Sequence, residues 1–343
     1  MTRDFRLKEI ARQAGLSLAT VDRVINKRQG VSTLANMRVA QALQELKRQG
    51  EQAGLAGRKY LIDIVVEAPD RFCNLVRQNL EIEISYLHPT SFRCRFHMAE
   101  MSDTKEIVKI LKRIGLMGSN GVILKAPDRP EIVRAIEALA DAQIPVVTLV
   151  TDIPFSKRVA YVGIDNRAAG ETAAYLIASW LPQKNASILV AVSSTGFRGE
   201  EEREIGFKSI LRKCHSHLKI VEISGGFGLH SKTAKLVKDA LSHDTNIQGV
   251  YSPGGANLAI LEAFAKSNRR PQVFVAHDLD ADNLLLLQQN KLTAVLHHDL
   301  RADMRMCCLQ IMRANYPVSK KPEMASATIQ IITPHNIPSY IFS

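Results

Sequence analysis

The sequence predicts an α/β protein in which an N-terminal module of three helices precedes two lobes, each built on a doubly wound parallel sheet. Apolar residues in the first 48 positions recur at helical spacing. After residue 59, short apolar runs alternate with amphipathic stretches, which is typical of parallel sheets covered by helices on both faces. The length of 343 residues is too great for one small core, so two or three lobes are expected.

The first three helices follow from spacing and capping residues. The apolar stripe of the first helix is Leu7, Ile10, Ala11 and Ala14. Gly15 ends that helix, because glycine turns tightly without steric cost. Ser17 is a natural N-cap for a second helix that runs to about Ile25, and Ser32 caps a third. A helix, a glycine turn and a capped second helix form the layout of a helix-turn-helix motif.

A linker and then alternating strands and helices are predicted downstream. Residues 49–59 contain three glycines and show no strong periodicity, so they are expected to form a linker. The predicted strands are 60–66, 92–97, 121–124, 145–150, 187–192, 219–223, 249–252, 272–276 and 292–296. The predicted helices are 103–114, 130–142, 168–180, 200–213, 231–242, 257–267, 280–289 and 301–314.

The positive charge is concentrated at the N-terminus. Residues 1–60 carry 12 Lys and Arg against 5 Asp and Glu, a net charge of +7, whereas the rest of the chain carries +4. A basic module on a nearly neutral body favours a nucleic-acid partner. A solvated basic surface would have the same composition, so charge alone leaves both interpretations open.

Composition also argues against several classes of protein. There is no run of about 18 apolar residues, so no transmembrane helix or membrane partner is expected. The first residues, "MTRDFRLKEIARQ", lack the apolar segment of a secretion signal, which favours the cytoplasm. The five cysteines are scattered and form no CxxC pair, so we expect neither a disulfide framework nor a metal site, and no cofactor.

Polar residues that follow the predicted strands are the first candidates for a binding site, because ligands of such sheets lie beyond the carboxyl ends of the strands. They are Glu67, Asp70, Lys125, Asp128, Asp152, Asp165, Ser193, Ser194, Asn257, Asp278, His298 and Asp299. Their recurrence at equivalent places is more informative than any one of them.

The stretch "LKEIARQAGLSLATVDRVINKRQGVS" closely resembles the N-terminal headpiece of bacterial LacI/GalR-family transcription regulators. The matching residues are Ala11, Ala14, Gly15, Ser17, Thr20, Val21, Arg23, Val24, Asn26, Gly30, Val31 and Ser32. The segments "YVGIDNRAAGETAAYLI" and "EREIGFKSIL" are similar to the effector domain of that family, which resembles type I periplasmic sugar-binding proteins.

The resemblance implies a homodimer on a pseudo-palindromic double-stranded DNA operator, acting as a repressor rather than an enzyme. A small carbohydrate-like effector, such as a sugar, polyol or sugar acid, would switch its affinity for DNA. The expected domains are a headpiece (1–48), a linker or hinge (49–59) and an effector domain (60–343). Within the last, the N-terminal lobe takes 60–162 and 290–325, and the C-terminal lobe takes 163–289.

The second helix carries the expected DNA contacts. In the family, the positions matching Leu18, Ala19 and Arg23 face bases. An arginine can bond the O6 and N7 atoms of guanine bidentately, whereas apolar side chains can meet only thymine methyl groups or fill space. Phosphate contacts are expected of Ser17, Thr20, Asn26 and Ser32, each of which could instead be only a helix cap.

Asp22 departs from the serine that is usual in the family. A carboxylate near phosphates is repelled, so it should lower non-specific affinity for DNA. It could instead accept a hydrogen bond from a cytosine N4 amine, or hold Arg23 or Lys27 in position. We hypothesise that Asp22 helps to specify the operator sequence.

The linker departs from the family as well. Relatives have a Y-x-P-N stretch and then a hinge helix whose leucine wedges into the minor groove. The segment "LKRQGEQAGLAGRK" lacks the Tyr, Pro and Asn, and Leu55 is the only candidate for the wedge. The flanking Gly54 and Gly57 disfavour a hinge helix, so a flexible linker is an open alternative.

Seven residues are expected to face the effector: Phe72, Asp152, Asp165, Arg203, Asn257, Asp278 and His298. Arg203 matches the family arginine that precedes G-F, and its guanidinium suits vicinal hydroxyls or a carboxylate. It could instead be an exposed arginine that pairs with Glu200 or Glu202.

The other six candidates rest on position, and most have alternatives. The three aspartates follow strands and match family cleft positions, although Asp165 could cap a helix instead. Phe72 could stack on a sugar ring or belong to the core. Asn257 ends "SPGGAN", whose free N–H groups could bind an anion, and His298 lies near a position where relatives have a glutamine.

The alternative function is a cytoplasmic small-molecule-binding protein or an enzyme without a role on DNA. The sequence "GGFG" at 225–228 is a weak dinucleotide signal, because it does not follow a first strand as G-x-G-x-x-G. No nucleophile, base and orienting group stand together in the sequence. Salt-dependent DNA binding would favour the regulator, and turnover without DNA would favour the enzyme.

Overall fold

The computed structural model describes residues 7–26, 28, 30–55, 58–88, 90–100, 103–181, 185–316 and 327–338, without the side chains of 47–55. The chain divides into two compact units. The smaller comprises Met1–Lys59 with His88–Ser91, and the larger comprises the remainder.

The smaller unit contains three helices: α1 (Leu7–Ala14), α2 (Leu18–Ile25) and α3 (Thr33–Leu55). Their shared core consists of Ile10, Ala11, Ala14, Val21, Val39 and Ala42. Gly15 follows α1 with a φ of 61°, a conformation that favours glycine. The predicted end of the first helix, the bounds of the second and the start of the third are confirmed.

The third helix extends beyond its predicted end. It continues through Gly50 and Gly54 to Leu55, so the prediction of a linker is wrong for residues 49–55. Each glycine costs a helix about 1 kcal/mol relative to alanine. Elongation nevertheless adds one hydrogen bond for each residue fixed, and a helix already nucleated in a packed core can absorb isolated glycines.

The larger unit contains two sheets. Their strands are β1 (Lys59–Glu67), β2 (Ser91–Ala99), β3 (Gly121–Lys125), β4 (Val146–Leu149), β5 (Ala160–Val162), β6 (Ser187–Ala191), β7 (Lys219–Ile223), β8 (Ile247–Ser252), β9 (Val273–His277), β10 (Ala294–His297) and β11 (Gln330–Ile332). The first lobe is built on the sheet β2-β1-β3-β4-β5, and the second lobe on the sheet β11-β10-β9-β8-β6-β7.

The two sheets repeat one topology. Leaving aside β11, which pairs antiparallel with β10, each sheet places its first strand between its second and third. This is the 2-1-3-4-5 order of doubly wound folds, whose ligands lie at the carboxyl ends of the first and third strands, where the order reverses. In the two lobes that position falls beyond β1 and β3, and beyond β6 and β8. The predicted pair of doubly wound lobes is confirmed.

Nine helices are described in the larger unit: α4 (Asp70–Tyr86), α5 (Thr104–Met117), α6 (Pro130–Asp141), α7 (Asn166–Trp180), α8 (Arg198–Cys214), α9 (His230–His243), α10 (Asn257–Lys266), α11 (Ala281–Gln288) and α12 (Leu300–Asn315). The sequence analysis did not predict α4, β5 or β11. Within the described ranges, no helix is both long and apolar enough to span a membrane.

The predicted division into lobes fails at one strand. Residues 290–325 were assigned to the first lobe, but β10 lies in the sheet of the second. Helix α12 follows it and packs against α4, β3, β4 and β5 of the first lobe. The chain therefore crosses between the lobes directly after β10, because that strand extends the second sheet by parallel pairing with β9.

Helices α7 and α8 cross at very close range because each has a glycine at the contact. A Cβ atom on Gly170 would lie 1.9 Å from the carbonyl oxygen of Arg203, and one on Gly206 would lie 2.2 Å from that of Arg167. Backbone atoms cannot yield as a flexible side chain can. The crossing therefore requires glycine on both helices, and it fixes the backbone of Arg203.

We expect Gly170→Ala to lower the free energy of unfolding by about 2 to 3 kcal/mol, because the added methyl group forces the two helices apart. Urea denaturation of the full chain measures this loss.

Gly115→Ala in α5 is the matched control. Its Cβ would lie 3.6 Å from Leu139 Cδ2, an ordinary contact. Alanine should therefore be neutral there or stabilise the helix by up to about 1 kcal/mol. Equal effects of the two substitutions would contradict the role of close packing at Gly170.

Candidate functional site

The outer face of α2 is solvent-exposed. Leu18, Ala19, Arg23 and Asn26 are exposed, and the apolar Leu18 leaves 45% of its surface in contact with solvent. Val21 points the other way and is fully buried. The face predicted to meet bases is thus available to a partner, and Arg23 forms no ion pair with any described residue.

The predicted phosphate contacts also act as caps. The Ser17 hydroxyl accepts a hydrogen bond from the backbone N–H of Thr20 at 3.2 Å and lies 2.8 Å from the Thr20 hydroxyl. The Ser32 hydroxyl accepts from the N–H of Ala35 at 3.2 Å. Capping fixes where α2 and α3 begin. Contact of these residues with phosphates remains a prediction.

Asp22 is engaged within the headpiece. One of its oxygens accepts a hydrogen bond from Asn26 Nδ2 at 2.7 Å, and the other lies 3.2 Å from Arg28 Nη1. The carboxylate thus holds Asn26 and Arg28 rather than Arg23, which was one of the alternatives considered for it. Lys27 and the side chain of Leu55 fall outside the described residues.

A small cavity of about 70 Å³ lies between the two lobes of the larger unit. Its wall is formed by Ala68, Pro69, Arg71, Phe72, Lys125, Val150, Thr151, Phe197, Gly199, Glu200, Arg203, Pro253, Gly254, Gly255, His277, Asp278 and Asp280. These residues follow the carboxyl ends of strands in both sheets, where the order of strands reverses. The topology therefore places the cavity where doubly wound folds bind ligands.

Arg203 is held at this cavity by neutral partners. Only 3% of its surface is exposed. Its Nε donates to Asn166 Oδ1 at 2.7 Å, and its Nη1 donates to the carbonyl oxygen of Pro253 at 3.3 Å. Nη2 has no hydrogen-bond partner among the described residues. Asn166 in turn donates to the carbonyl oxygen of Val150 and to the hydroxyl of Tyr161, which joins Arg203 to the first lobe.

A partly buried lysine and a partly buried glutamate lie in the same wall. Lys125 Nζ donates to the carbonyl oxygen of Glu67 at 2.9 Å and lies 4.1 Å from the ring centroid of Phe197 and 5.6 Å from that of Phe72. Burial lowers the pKa of Lys125. Burial also raises the pKa of Glu200, so the cavity disfavours either charge when it is isolated.

Asp278 lies in front of a buried histidine. His298 Nε2 lies 3.5 Å from the Asp278 carboxylate, and Nδ1 lies 2.5 Å from that of Asp303 in α12. Burial alone would lower the pKa of His298, but hydrogen bonds with the two carboxylates raise it to about 9. His298 is therefore protonated at neutral pH and connects the second lobe to the first.

Arg71 closes one side of the cavity. It extends from the first turn of α4 and donates from Nε to Asp280 Oδ2 at 3.1 Å and from Nη1 to the carbonyl oxygen of Gly228 at 3.0 Å. Both partners belong to the second lobe. Gly255 leaves room for the guanidinium, since a Cβ there would lie 2.5 Å from Arg71 Nη2. Burial raises the pKa of Asp280 to about 6.

The structure brings together three of the seven predicted effector residues: Phe72, Arg203 and Asp278 line the cavity. The proposed alternative for Arg203, an exposed side chain paired with Glu200 or Glu202, is wrong. His298 is buried behind Asp278 rather than in the wall, so it can act on a ligand only through that carboxylate.

The remaining three candidates do not line this cavity, and each forms hydrogen bonds with neighbouring residues. Asp152 is bound by Arg158 and accepts a hydrogen bond from the Thr148 hydroxyl. Asp165 is exposed and caps α7 by accepting from the N–H of Ala168, the alternative considered for it. Asn257 is buried and donates to Asn283.

Most residues of the wall were not among the seven candidates, and six of these have charged or aromatic side chains: Arg71, Lys125, Phe197, Glu200, His277 and Asp280. Lys125 does follow a predicted strand and was in the broader set of polar residues. Arg71 and Glu200 lie in first turns of helices, where an exposed, capping-type role is the ordinary expectation. They are recognised as wall residues only when the two lobes are seen packed together.

Two family sequence models match the chain. The one described as "Periplasmic binding protein domain" matches residues 90–312, which is more than half of the chain. The one described as "Bacterial regulatory proteins, lacI family" matches residues 6–47.

A curated relative and many solved structures are similar to the chain. The relative is the HTH-type transcriptional regulator DegA of Bacillus subtilis (strain 168), which is 25% identical over 213 residues. The match spans 60% of this chain and 60% of DegA. The structure of GanP, a glucose-galactose binding protein from Geobacillus stearothermophilus, has a TM-score of 0.72 at 20% identity and covers 82% of this chain and 99% of GanP.

An ABC transporter solute binding protein from Agrobacterium vitis with bound D-fucose has the same TM-score, 0.72, at 18% identity. The match covers 81% of this chain and 97% of that protein. At such identities the two structures show the fold alone. The chain therefore belongs to the periplasmic binding protein domain family and carries a lacI-family regulatory domain at its N-terminus.

Proposed function

We propose that this protein is a bacterial, cytoplasmic transcription regulator, a repressor that binds operator DNA as a homodimer and responds to a small carbohydrate-like effector. The exposed face of α2, on which Arg23 forms no ion pair with the residues that the structure describes, is the observation that carries the proposal. The name of DegA, an HTH-type transcriptional regulator, supports it.

The geometry of the headpiece suits the major groove. Helix α2 is eight residues long, so one copy can contact only a few base pairs. Useful specificity requires two copies on a pseudo-palindromic site, which is the reason for proposing a dimer. Asp22 restrains Asn26 and Arg28 at the end of this helix and offsets one positive charge next to the DNA.

The effector part of the proposal rests on the cavity between the lobes. Its wall combines aromatic rings with buried charged groups, a composition that suits a hydroxylated ligand. GanP and the Agrobacterium protein are named for the sugars that they bind. Phe72 and Phe197 can cover the faces of such a ligand, while Arg203, Glu200 and Asp278 bond its polar groups.

Binding and switching are coupled through lobe closure. The cavity of about 70 Å³ is smaller than pockets that hold whole ligands, commonly about 300 to 1,000 Å³. The lobes must therefore move apart to admit an effector, and this breaks contacts such as that between Arg71 and Asp280. A ligand shifts the equilibrium between two states only by its difference in affinity for them. In this way the effector changes the population that binds DNA.

We expect Arg23→Ala to weaken binding to an operator selected from a random duplex pool by about tenfold to a hundredfold, because one bidentate base contact is lost. Binding to random DNA should weaken less. Fluorescence anisotropy at several salt concentrations measures both. Arg12→Ala, which removes one exposed charge from α1, is the control. Equal losses in the two variants would contradict base recognition by Arg23.

We expect a subset of sugars, polyols and sugar acids to raise the melting temperature of the full chain, because a ligand that binds only the folded state stabilises it. Arg203→Ala should abolish that rise, and Arg212→Ala, an exposed residue on the same helix, should retain it. Failure of every carbohydrate class to shift the melting temperature would sink the effector proposal.

His298 should make stability depend on pH. Because its pKa is raised to about 9 in the folded protein, its contribution is complete below the ordinary value of about 6.5 and is lost as the pH rises through about 9. His297 stays neutral over this range, because burial lowers its pKa to about 4. As the pH rises over this range, the free energy of unfolding of the unaltered chain should therefore fall by up to about 3 kcal/mol more than that of His298→Gln.

Urea denaturation of both proteins between pH 6.5 and 9.5 tests this. A difference between them that stays constant over the range would contradict the charged state of His298.

A further inference from the structure

Two buried nitrogen atoms in the cavity wall lack hydrogen-bond partners among the described residues. Arg203 and His277 are each 3% exposed, and Arg203 Nη2 and His277 Nδ1 have no hydrogen-bond partner among the described residues. A buried polar atom without a partner is costly, because it has given up its hydrogen bonds with water. Both side chains line the same cavity, so one ligand can satisfy both.

The Nδ1 atom of His277 is assigned as a donor through its neighbour. His277 Nε2 lies 2.9 Å from the hydroxyl oxygen of the buried Tyr251. Among the described residues, this histidine is the hydrogen-bond partner of that hydroxyl. If the tyrosine donates, its proton is satisfied and the histidine carries its own proton on Nδ1. Burial holds the pKa of His277 well below its ordinary value, so the ring is neutral and has a single N–H.

Lys125 adds a third donor to the same wall. Its ammonium donates to the carbonyl oxygen of Glu67, and no carboxylate of the described residues lies within 4 Å of it. The same holds for the guanidinium of Arg203. The cavity wall therefore contains a buried arginine and a partly buried lysine that lack a close counter-ion among the described residues.

The carboxylates of the wall, in contrast, already have donors. Asp280 accepts from Arg71 and from the N–H of Asn283. Asp278 faces His298. Glu200 accepts from both the N–H and the hydroxyl of Ser193, at 2.8 and 2.6 Å. What the wall lacks is therefore an acceptor, and a carboxylate is the strongest acceptor for a guanidinium.

We propose that the effector is a hydroxylated carboxylic acid of the sugar-acid class, whose carboxylate is bound by Arg203 Nη2 and His277 Nδ1 and is attracted by Lys125. This rests on the proposed function and narrows its ligand class. The remaining lone pairs of Glu200 and Asp278 take hydroxyl groups at the other end of the ligand. The two phenylalanine rings cover its carbon skeleton.

Matched pairs of ligands test the proposal on the unaltered full chain. D-Glucuronate, D-galacturonate, D-gluconate and D-galactonate are titrated by calorimetry beside D-glucose, D-galactose, D-glucitol and D-galactitol. We expect at least one acid to bind ten times or more tightly than its neutral counterpart. D-Glucose 6-phosphate is also titrated. If it binds more tightly than every acid, the donors recognise a phosphate group, and the proposal of a carboxylate ligand is overturned.

The outcomes separate the two proposals. A neutral sugar or polyol that binds as tightly as its acid overturns the carboxylate and leaves the carbohydrate-responsive switch standing. Absence of binding by all nine probes overturns both. Arg203→Gln should lower the ratio of the affinity for the acid to that for its neutral counterpart by about tenfold or more, because the charge-assisted hydrogen bond is lost. Arg212→Gln, at an exposed position of the same helix, should retain it.

Discussion

The hydrogen bond between Arg203 and Asn166 is the interaction on which the proposed effector site depends. It places the guanidinium at the cavity, and it exists because α7 and α8 approach each other through Gly170 and Gly206. Asn166 also bonds to the carbonyl oxygen of Val150 in the first lobe. A change in the packing of α7 against α8 in the second lobe would therefore also affect the end of strand β4 in the first lobe.

The duplicated topology explains why charged groups from distant parts of the chain meet. Each sheet reverses its order of strands beside its first strand, and the two reversals face each other across the cavity. Lys125 follows the third strand of one sheet, and Glu200 follows the first strand of the other. Neither sheet alone makes a site. Residues of both lobes are needed to form its wall.

Periodicity predicted the headpiece, the doubly wound lobes and nine of the strands, because those features depend on local burial. The family resemblance predicted Arg203, the resemblance and a place after a strand predicted Asp278, and Phe72 was a candidate for stacking on a sugar ring. Asp152 and Asp165 occupy similar places, but one finds Arg158 and the other caps a helix. A carboxylate after a strand is thus ambiguous until its neighbours are known. The helix α4, which carries Phe72, was missed altogether.

Stability does not explain the composition of the cavity. Burial disfavours the charged forms of both Lys125 and Glu200, as the directions of their pKa shifts show. Apolar side chains of similar volume would avoid that cost, since a buried charge is repaid only by close partners. Arg203 and His277 each add a buried nitrogen atom that has no hydrogen-bond partner in the part of the chain that the structure describes. A wall that gives up stability in this way has the character of a binding site, in which a ligand supplies the missing partners.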